Sequence, residues 1–369
     1  MKKFDLAIVG IVGLPASYGG FETLADQIVI HLGSQKNIQV FCSSITKNVT
    51  SNLEKKYLGS TLTYVRWRAN GWQSPLYDAI SMWRGAKTSR TLLILGVSGC
   101  IFLPFIRIFW PDVFVVTNVD GIEWKRDKWG FAARFFLRIS EWFAIKFSDD
   151  VVADNYGIQE YLLRAYGCNA KLIAYGGDQN LKNNFETSIS LGLQNGKLAT
   201  KFYLTICRIE PENSINEILL AFKDLPDETL VMVGNWNSTV FSKRLYDEFS
   251  GAPNILLLNP IYESEKLNYL RGRAIALIHG HKAGGTNPSL VEGMSHGLPV
   301  LAKNVIYNRH TTNDMAMYWD DVDDLLALIK KQNTQSLKVN GESMKKYAQE
   351  NYTWNRVIQQ YYSCLKIDC

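Results

Sequence analysis

Two α/β domains, each a parallel sheet covered by helices, are what this sequence predicts, and three observations carry that reading. Continuous apolar runs alternate with amphipathic segments along the chain, the pattern of strands buried on both faces. The rhythm occurs twice, separated by Gly176 to Lys201, a linker-like stretch rich in Gly, Asn, Lys, Gln and Ser. The length, 369 residues, also exceeds what one hydrophobic core usually serves. The expected division is residues 1–178, residues 179–343 and a terminal segment 344–369.

In the first half the strand-like runs are Leu6–Val9, Gln39–Cys42, Thr63–Arg66, Leu92–Leu95, Val113–Thr117, Val151–Ala153 and Leu172–Ala174. Phe21, Leu24, Ala25, Ile28 and Leu32 keep helical spacing, and Gly33 closes that helix. Phe131 to Phe147 reads as a helix with a polar stripe of Arg134, Arg138 and Glu141. Its broad apolar remainder suits burial in a core or, alternatively, docking on a bilayer with arginines reaching headgroups. The second half gives strands at Phe202–Cys207, Leu230–Val233, Ile255–Leu258, Ala276–Ile278, Val300–Ala302 and Met317–Trp319. Two such domains place a cleft between the carboxyl ends of their sheets, where ligands bind in open α/β folds. Trp354, Val357, Ile358, Tyr361, Tyr362 and Leu365 form a closing helix whose aromatics need a surface, expected on the first domain.

Hydrophobic content of 47% with 20% charged residues is that of a soluble globular chain. The longest apolar stretch, Leu92 to Ile106, is broken by Gly96, Gly99 and Pro104 and is too short for a bilayer span. No cleavable leader is expected after Met1-Lys2-Lys3. Six cysteines without C-x-x-C spacing fit a reducing cytoplasm. The net charge of +5 lies wholly in residues 1–178, where 20 Lys and Arg face 15 Asp and Glu. That excess points to an anionic partner such as a membrane surface or a pyrophosphate, and no basic run or motif points to nucleic acid.

Chemistry concentrates in four segments. After the first strand, Gly10 to Glu22 lacks G-x-G-x-x-G, but Gly19 and Gly20 form an amide nest beside Tyr18 and Phe21, suited to phosphate or an acceptor hydroxyl. Asn118 to Trp129 leaves a buried strand. Asp120 there is placed to accept a hydroxyl bond or proton, Trp124 offers a face to a sugar ring, and Lys125, Arg126 and Lys128 offer positive charge. Arg208 ends a strand, where its guanidinium either grips a diphosphate or pairs with Glu210 or Glu212. The richest segment is the loop from His281 and Lys282 through Gly284, Gly285, Thr286 and Asn287. Asn287 caps a helix opened by Pro288, and its free amides suit a phosphate. Glu292, about one turn further on, is placed for ribose hydroxyls. Asp321 and Asp323 look like a metal pair but precede a helix, which explains them without a metal.

Taken in order, these segments resemble glycosyltransferase family 4, retaining enzymes of the GT-B fold with two Rossmann-like domains facing a central cleft. The likeness is closer to the bacterial polysaccharide rhamnosyltransferases, through Gly19-Gly20-Phe21-Glu22-Thr23, Asp120-Gly121-Ile122-Glu123-Trp124-Lys125-Arg126, Arg208-Ile209-Glu210-Pro211-Glu212-Asn213 and Gly284-Gly285-Thr286-Asn287-Pro288-Ser289. Three departures stand out: Gly284 occupies the place of the first of two glutamates, Asn213 that of a lysine, and Asp120 that of a histidine. A deoxysugar donor such as rhamnose fits the lost glutamate. The resemblance implies transfer from a nucleotide sugar to an undecaprenyl-diphosphate-linked saccharide on the cytoplasmic side of an anionic membrane, with no metal or other cofactor. Asp120, Arg208 and Lys282 would be catalytic. Gly19, Gly20, Arg208, Asn213, His281, Lys282, Gly284, Gly285, Thr286, Asn287 and Glu292 would hold the donor. Tyr18, Phe21, Asp120, Glu123, Trp124, Lys125 and Arg126 would hold the acceptor. A nucleotide-sugar epimerase of the same fold and a non-catalytic binding protein are the alternatives.

Overall fold

The computed structural model describes residues 2–16, 19–45, 55–126, 129–179, 181 and 201–367. Tyr18, Lys128 and most of the expected linker lie outside the described residues.

The first sheet contains β1 (Phe4–Val9), β2 (Ile38–Ser43), β3 (Lys55–Tyr57), β4 (Ser60–Val65), β5 (Ser89–Leu95), β6 (Phe114–Asn118), β7 (Asp150–Ala153) and β8 (Lys171–Leu172). Its helices are α1 (Gly20–Leu32), α2 (Ser74–Thr88), α3 (Leu103–Phe109), α4 (Phe131–Phe147) and α5 (Tyr156–Tyr166). The strand order is β3-β4-β2-β1-β5-β6-β7-β8, and among the described residues only the short edge pair β3–β4 is antiparallel. β1, β2 and β5 are almost wholly buried, which is why they read as unbroken apolar runs.

The second sheet contains β9 (Tyr203–Ile206), β10 (Leu230–Val233), β11 (Ile255–Leu258), β12 (Ala276–His279), β13 (Val300–Lys303) and β14 (Met317–Trp319). All its pairings are parallel, in the order β11-β10-β9-β12-β13-β14. With it go α6 (Ile215–Lys223), α7 (Val240–Phe249), α8 (Ser264–Arg273), α9 (Pro288–Ser295), α10 (Ile306–Thr311), α11 (Val322–Lys331) and α12 (Thr334–Asn351). Phe222, Trp236 and Trp319 anchor its core. The last helix is α13 (Trp354–Leu365).

The chain separates into two compact units, Met1–Tyr175 with Asn355–Cys369, and Gly176–Trp354. The break therefore falls after Tyr175 rather than after residue 178, and residues 344–354 stay with the second unit. Two hydrogen bonds hold that junction: Gly177 N donates to Tyr352 O at 2.8 Å, and Trp354 N donates to Asp178 Oδ1 at 2.7 Å. From Asn355 onward α13 packs in the first unit, where Asn118 Nδ2 donates to the buried Tyr361 hydroxyl at 2.7 Å.

The expected polar stripe of α4 is corrected by the structure. Glu141 is only 1% exposed, because its Oε1 accepts the hydroxyls of Tyr161 and Tyr166, each at 2.6 Å. The aromatics Phe131, Phe135 and Trp142 are the exposed ones.

Candidate functional site

In the second unit the chain winds outward from β9 to β11, then returns to β12 on the other side of β9. That reversal opens a crevice at the carboxyl ends of β9 and β12, where open α/β sheets bind ligands. The loop after β9 carries Arg208, and the loop after β12 carries His281 to Asn287. Lys282 N donates to Glu212 O at 2.9 Å and so ties the two loops together.

Arg208 lies 3.6 Å from a Glu210 oxygen and 3.7 Å from a Glu212 oxygen, with about a third of its side chain exposed. Both sequence readings meet in this geometry: the guanidinium is loosely paired, and it is open to a ligand. Asn213 is buried, and its Nδ2 donates to Arg208 O at 2.7 Å, so it braces this loop from behind rather than facing a ligand. Lys282 Nζ donates to Glu217 Oε1 at 2.8 Å, and Lys303 Nζ to Glu217 Oε2 at 2.7 Å. Lys303, buried at the end of β13, also reaches Asp320 O and lies 4.4 Å from the Trp319 ring centroid. Burial opposes the charge of Glu217, but the hydrogen bonds from Lys282 and Lys303 outweigh it and hold its carboxyl below the ordinary range.

His279 ends β12, and its ring stacks on His281 with centroids 4.4 Å apart. Its Nε2 has no hydrogen-bond partner among the described residues, and burial pushes its pKa down to about 3, so it is a neutral imidazole. Gly284 sits at φ +112°, a region glycine favours, in the loop ahead of α9. Gly285 follows it, Thr286 is buried, and Asn287 caps α9 by accepting from Ser289 N at 3.0 Å. Pro288 opens the helix as expected.

Glu292 makes two internal contacts. Its Oε2 pairs with Arg271 of α8, itself 5% exposed, and its Oε1 accepts from Gln179 Nε2. Gln179 in turn accepts from Trp354 Nε1. Burial raises the Glu292 pKa, while Arg271 and Gln179 act to lower it. A buried guanidinium without this carboxylate would be costly, so the residue anchors α8, α9 and the junction.

In the first unit the comparable reversal lies between β1 and β5. Gly10 has φ +94°, and a Cβ there would come within 2.1 Å of Leu95 O, so the loop after β1 runs hard against β5. Gly19, at φ +108°, precedes Gly20, the first residue of α1. A Cβ on Gly19 would stand 2.2 Å from Glu22 Oε2, while Glu22 Oε1 accepts from Val12 N at 2.9 Å. The Phe21 ring reaches the Gly96 backbone after β5, 3.5 Å from where a Cβ would be.

Asp120 follows β6 with φ +62°, its N–H donating to Asn118 Oδ1 at 2.9 Å. Its negative charge acts on the buried Tyr175, as do those of Asp154 and Glu22. Burial chiefly, then these charges, drives that phenol's pKa well up. Glu123 and Trp124 lie instead in a braced turn. Glu123 accepts from Trp129 Nε1 at 3.0 Å and pairs with Arg126 at 3.1 Å. Trp124 Nε1 points to Glu141 and Tyr161 at 3.3 and 3.2 Å. Lys125 Nζ and the Arg138 guanidinium lie 5.5 and 5.1 Å from the Trp124 ring centroid, so cations occupy the surroundings expected for a sugar.

Glu217, Lys303, His279, Arg271 and Asp154 were not singled out from sequence. Lys303, His279 and Asp154 had a usable signal, a polar residue closing an apolar strand. Glu217 and Arg271 had none, because they sit on helices among ordinary charges. Among the described residues no group of three or more His, Cys, Asp or Glu is placed to hold a metal ion, and Asp321 caps α11 by accepting from Asp324 N at 2.9 Å.

Residues 193–339 match the family model described as glycosyl transferases group 1, and residues 3–178 match a domain of unknown function (DUF1972). An uncharacterized glycosyltransferase of Methanocaldococcus jannaschii is 23% identical over 210 residues, 52% of this chain and 48% of that protein. The chain thus spans about half the length of that curated relative. Sucrose-phosphate synthase of Thermosynechococcus elongatus has a similar structure, with TM-score 0.78 and 13% identity over 98% of both chains. HepE of Anabaena, solved with UDP and glucose, gives TM-score 0.73 and 15% identity, covering 98% of this chain and 99% of that one. The fold is GT-B. The neighbours show that fold, and the second unit resembles glycosyl transferases group 1.

Proposed function

We propose that this protein is a retaining glycosyltransferase that moves a sugar from a nucleotide sugar to a hydroxyl of an undecaprenyl-diphosphate-linked saccharide, in assembly of a bacterial surface polysaccharide such as capsule or O-antigen. The observation that carries the reading is the β9–β12 crevice of a group 1 domain, which presents Arg208, Lys282 and the Gly284–Asn287 loop. In the reaction the anomeric bond to the diphosphate breaks, the acceptor oxygen bonds to the same carbon on the same face, and the acceptor proton passes to the departing diphosphate. Arg208, Lys282 and loop amides stabilise the charge that grows on that leaving group, and positioning supplies the rest of the rate. Asp120 orients the acceptor hydroxyl. Rhamnose from dTDP-rhamnose is the proposed donor, supported by Gly284 standing where a sugar-binding glutamate would be. The work site is the cytoplasmic face of the membrane.

Isotope-labelled nucleotide sugars incubated with the enzyme and membranes test this. Label should enter the lipid fraction, fastest from dTDP-rhamnose, and turnover should survive excess EDTA. Epimerised nucleotide, or binding without conversion, would replace the transferase reading. Loss of turnover restored by magnesium would overturn its metal-independent form.

A further inference from the structure

The described part of the first unit leaves an unusual set of side chains in solvent. On α4, Phe131, Phe135 and Trp142 are 88%, 61% and 46% exposed, and they share one helical face with the exposed Arg138 and Lys146. On α3, Phe105, Ile108 and Phe109 are likewise exposed. Trp83 of α2 joins them edge-on, 5.2 Å from Phe109 and 4.2 Å from Trp110 between ring centroids. Arg107 Nε donates to Phe147 O at 2.8 Å and fastens the end of α3 to the end of α4. An open groove of about 270 Å³ runs beside Ile80, Trp83, Phe102 and Phe105. So large an apolar surface marks an interaction site.

The charges say what covers it. Helices α2, α3 and α4 hold two acids, Asp78 and Glu141, and both are buried. Their exposed bases, Arg84, Lys87, Arg138 and Lys146, have no carboxylate partner among the described residues. A second copy meeting this face through the same patch would bring like charges together. An anionic bilayer complements both features, since aromatic rings settle at the headgroup boundary and long cationic side chains reach the phosphates. Lys125 and Arg126, favoured from sequence, are weaker candidates: they lie in the turn before α4 rather than on the exposed helix faces, and Arg126 is paired with Glu123.

We infer that the outer faces of α2, α3 and α4 form a docking surface for an anionic lipid bilayer, with the rings entering the interface and the groove receiving lipid chain. The surface brings the first unit to a lipid-linked acceptor, so the inference extends the proposed function. Its test does not depend on transfer. Full-length protein should sediment with vesicles containing phosphatidylglycerol and weakly with pure phosphatidylcholine, and 1 M salt should reduce the binding. Phe131→Ser with Phe135→Ser and Trp142→Ser should lower vesicle affinity more than tenfold while lowering the melting temperature only slightly, because Phe131 and Phe135 are largely exposed and Trp142 gives up only its edge contacts with Phe143 and Phe147. Arg138→Gln with Lys146→Gln should cost about fivefold for each charge removed. Lys125→Gln with Arg126→Gln should change it less than twofold. Vesicle binding unaffected by the triple substitution would overturn the inference. So would a concentration-dependent dimer, seen by sedimentation equilibrium, that the triple substitution abolishes. Thermal stabilisation by dTDP or UDP is measured alongside. Its loss with vesicle binding intact counts against the transferase reading, and the reverse result counts against docking alone.

Discussion

Charge is handled differently in the two units. Around the β9–β12 crevice, Arg208, Lys282 and Lys303 each sit against a carboxylate. On α2, α3 and α4 the exposed bases face solvent and the acids are inside. Paired cations are pre-oriented and short in range, as suits a pocket that must meet charge developing on one leaving group. Unpaired cations act over a Debye length and suit a broad anionic surface, with an influence that fades in salt. The same residue types are therefore paired in one unit and open in the other.

Substituting Arg208 breaks the first half of that comparison most severely. Arg208→Ala should lower turnover by about 10²–10³-fold, and Arg208→Lys, which keeps charge but loses the planar fork, by a smaller factor. The melting temperature should barely move, since the pairs with Glu210 and Glu212 are long and partly exposed. Turnover at the wild-type rate in both variants would make Arg208 a surface ion-pair partner only. In the first unit the corresponding constraint is backbone. Gly10→Ala forces a Cβ against Leu95 O at φ +94° and should destabilise the fold by roughly 2–3 kcal/mol in urea unfolding. The buried acids offer a subtler check. Burial raises the Asp78 pKa to about 7, with the Ser98 and Ser74 hydroxyls pulling it back. The folded state then holds a proton that the unfolded chain releases near pH 3.9, so stability should fall as pH rises from about 4 to 7 and level off above. Asp78→Asn should flatten that slope, an effect on the order of 3 kcal/mol between pH 4.5 and 7.5.

Much of the fold was legible because buried parallel strands leave continuous apolar runs: all thirteen expected strands are present within a few residues. The strand β3 was missed, since Lys55-Lys56-Tyr57 is an exposed edge hairpin with no buried face to pattern it. Local backbone was legible where geometry dictates residue type, as with Gly284 and the Asn287–Pro288 helix start. The site was not legible where a side chain's role depends on a partner far along the chain. Glu292 stands 21 positions from Arg271 and 113 from Gln179, and no local spacing reveals either contact. Glu141 was expected outside for the same reason, because the tyrosines that hold it lie 20 and 25 positions onward.

The smallest effect expected, and the one that most sharpens the comparison, is that of Glu217→Gln. Glu217 holds Lys282 at the crevice and Lys303 beneath it, one oxygen to each. If Lys282 turns toward a diphosphate, Glu217 still has Lys303, so no charge is left alone. Glutamine cannot balance two ammonium groups. Lys282 then loses its orientation but not its charge, which should lower kcat by about fivefold while donor KM moves less than twofold. Salt should inhibit the variant more steeply, because its lysine has become an open charge like those of the first unit. The pH sign is fixed by the depressed carboxyl: its contribution to stability is full above the unfolded pKa near 4.5 and is lost as pH falls through the folded value. The substitution should therefore remove part of the acid-side loss of stability. A variant that binds donor more tightly at unchanged kcat would show that Glu217 competes with the diphosphate rather than positioning Lys282 for it.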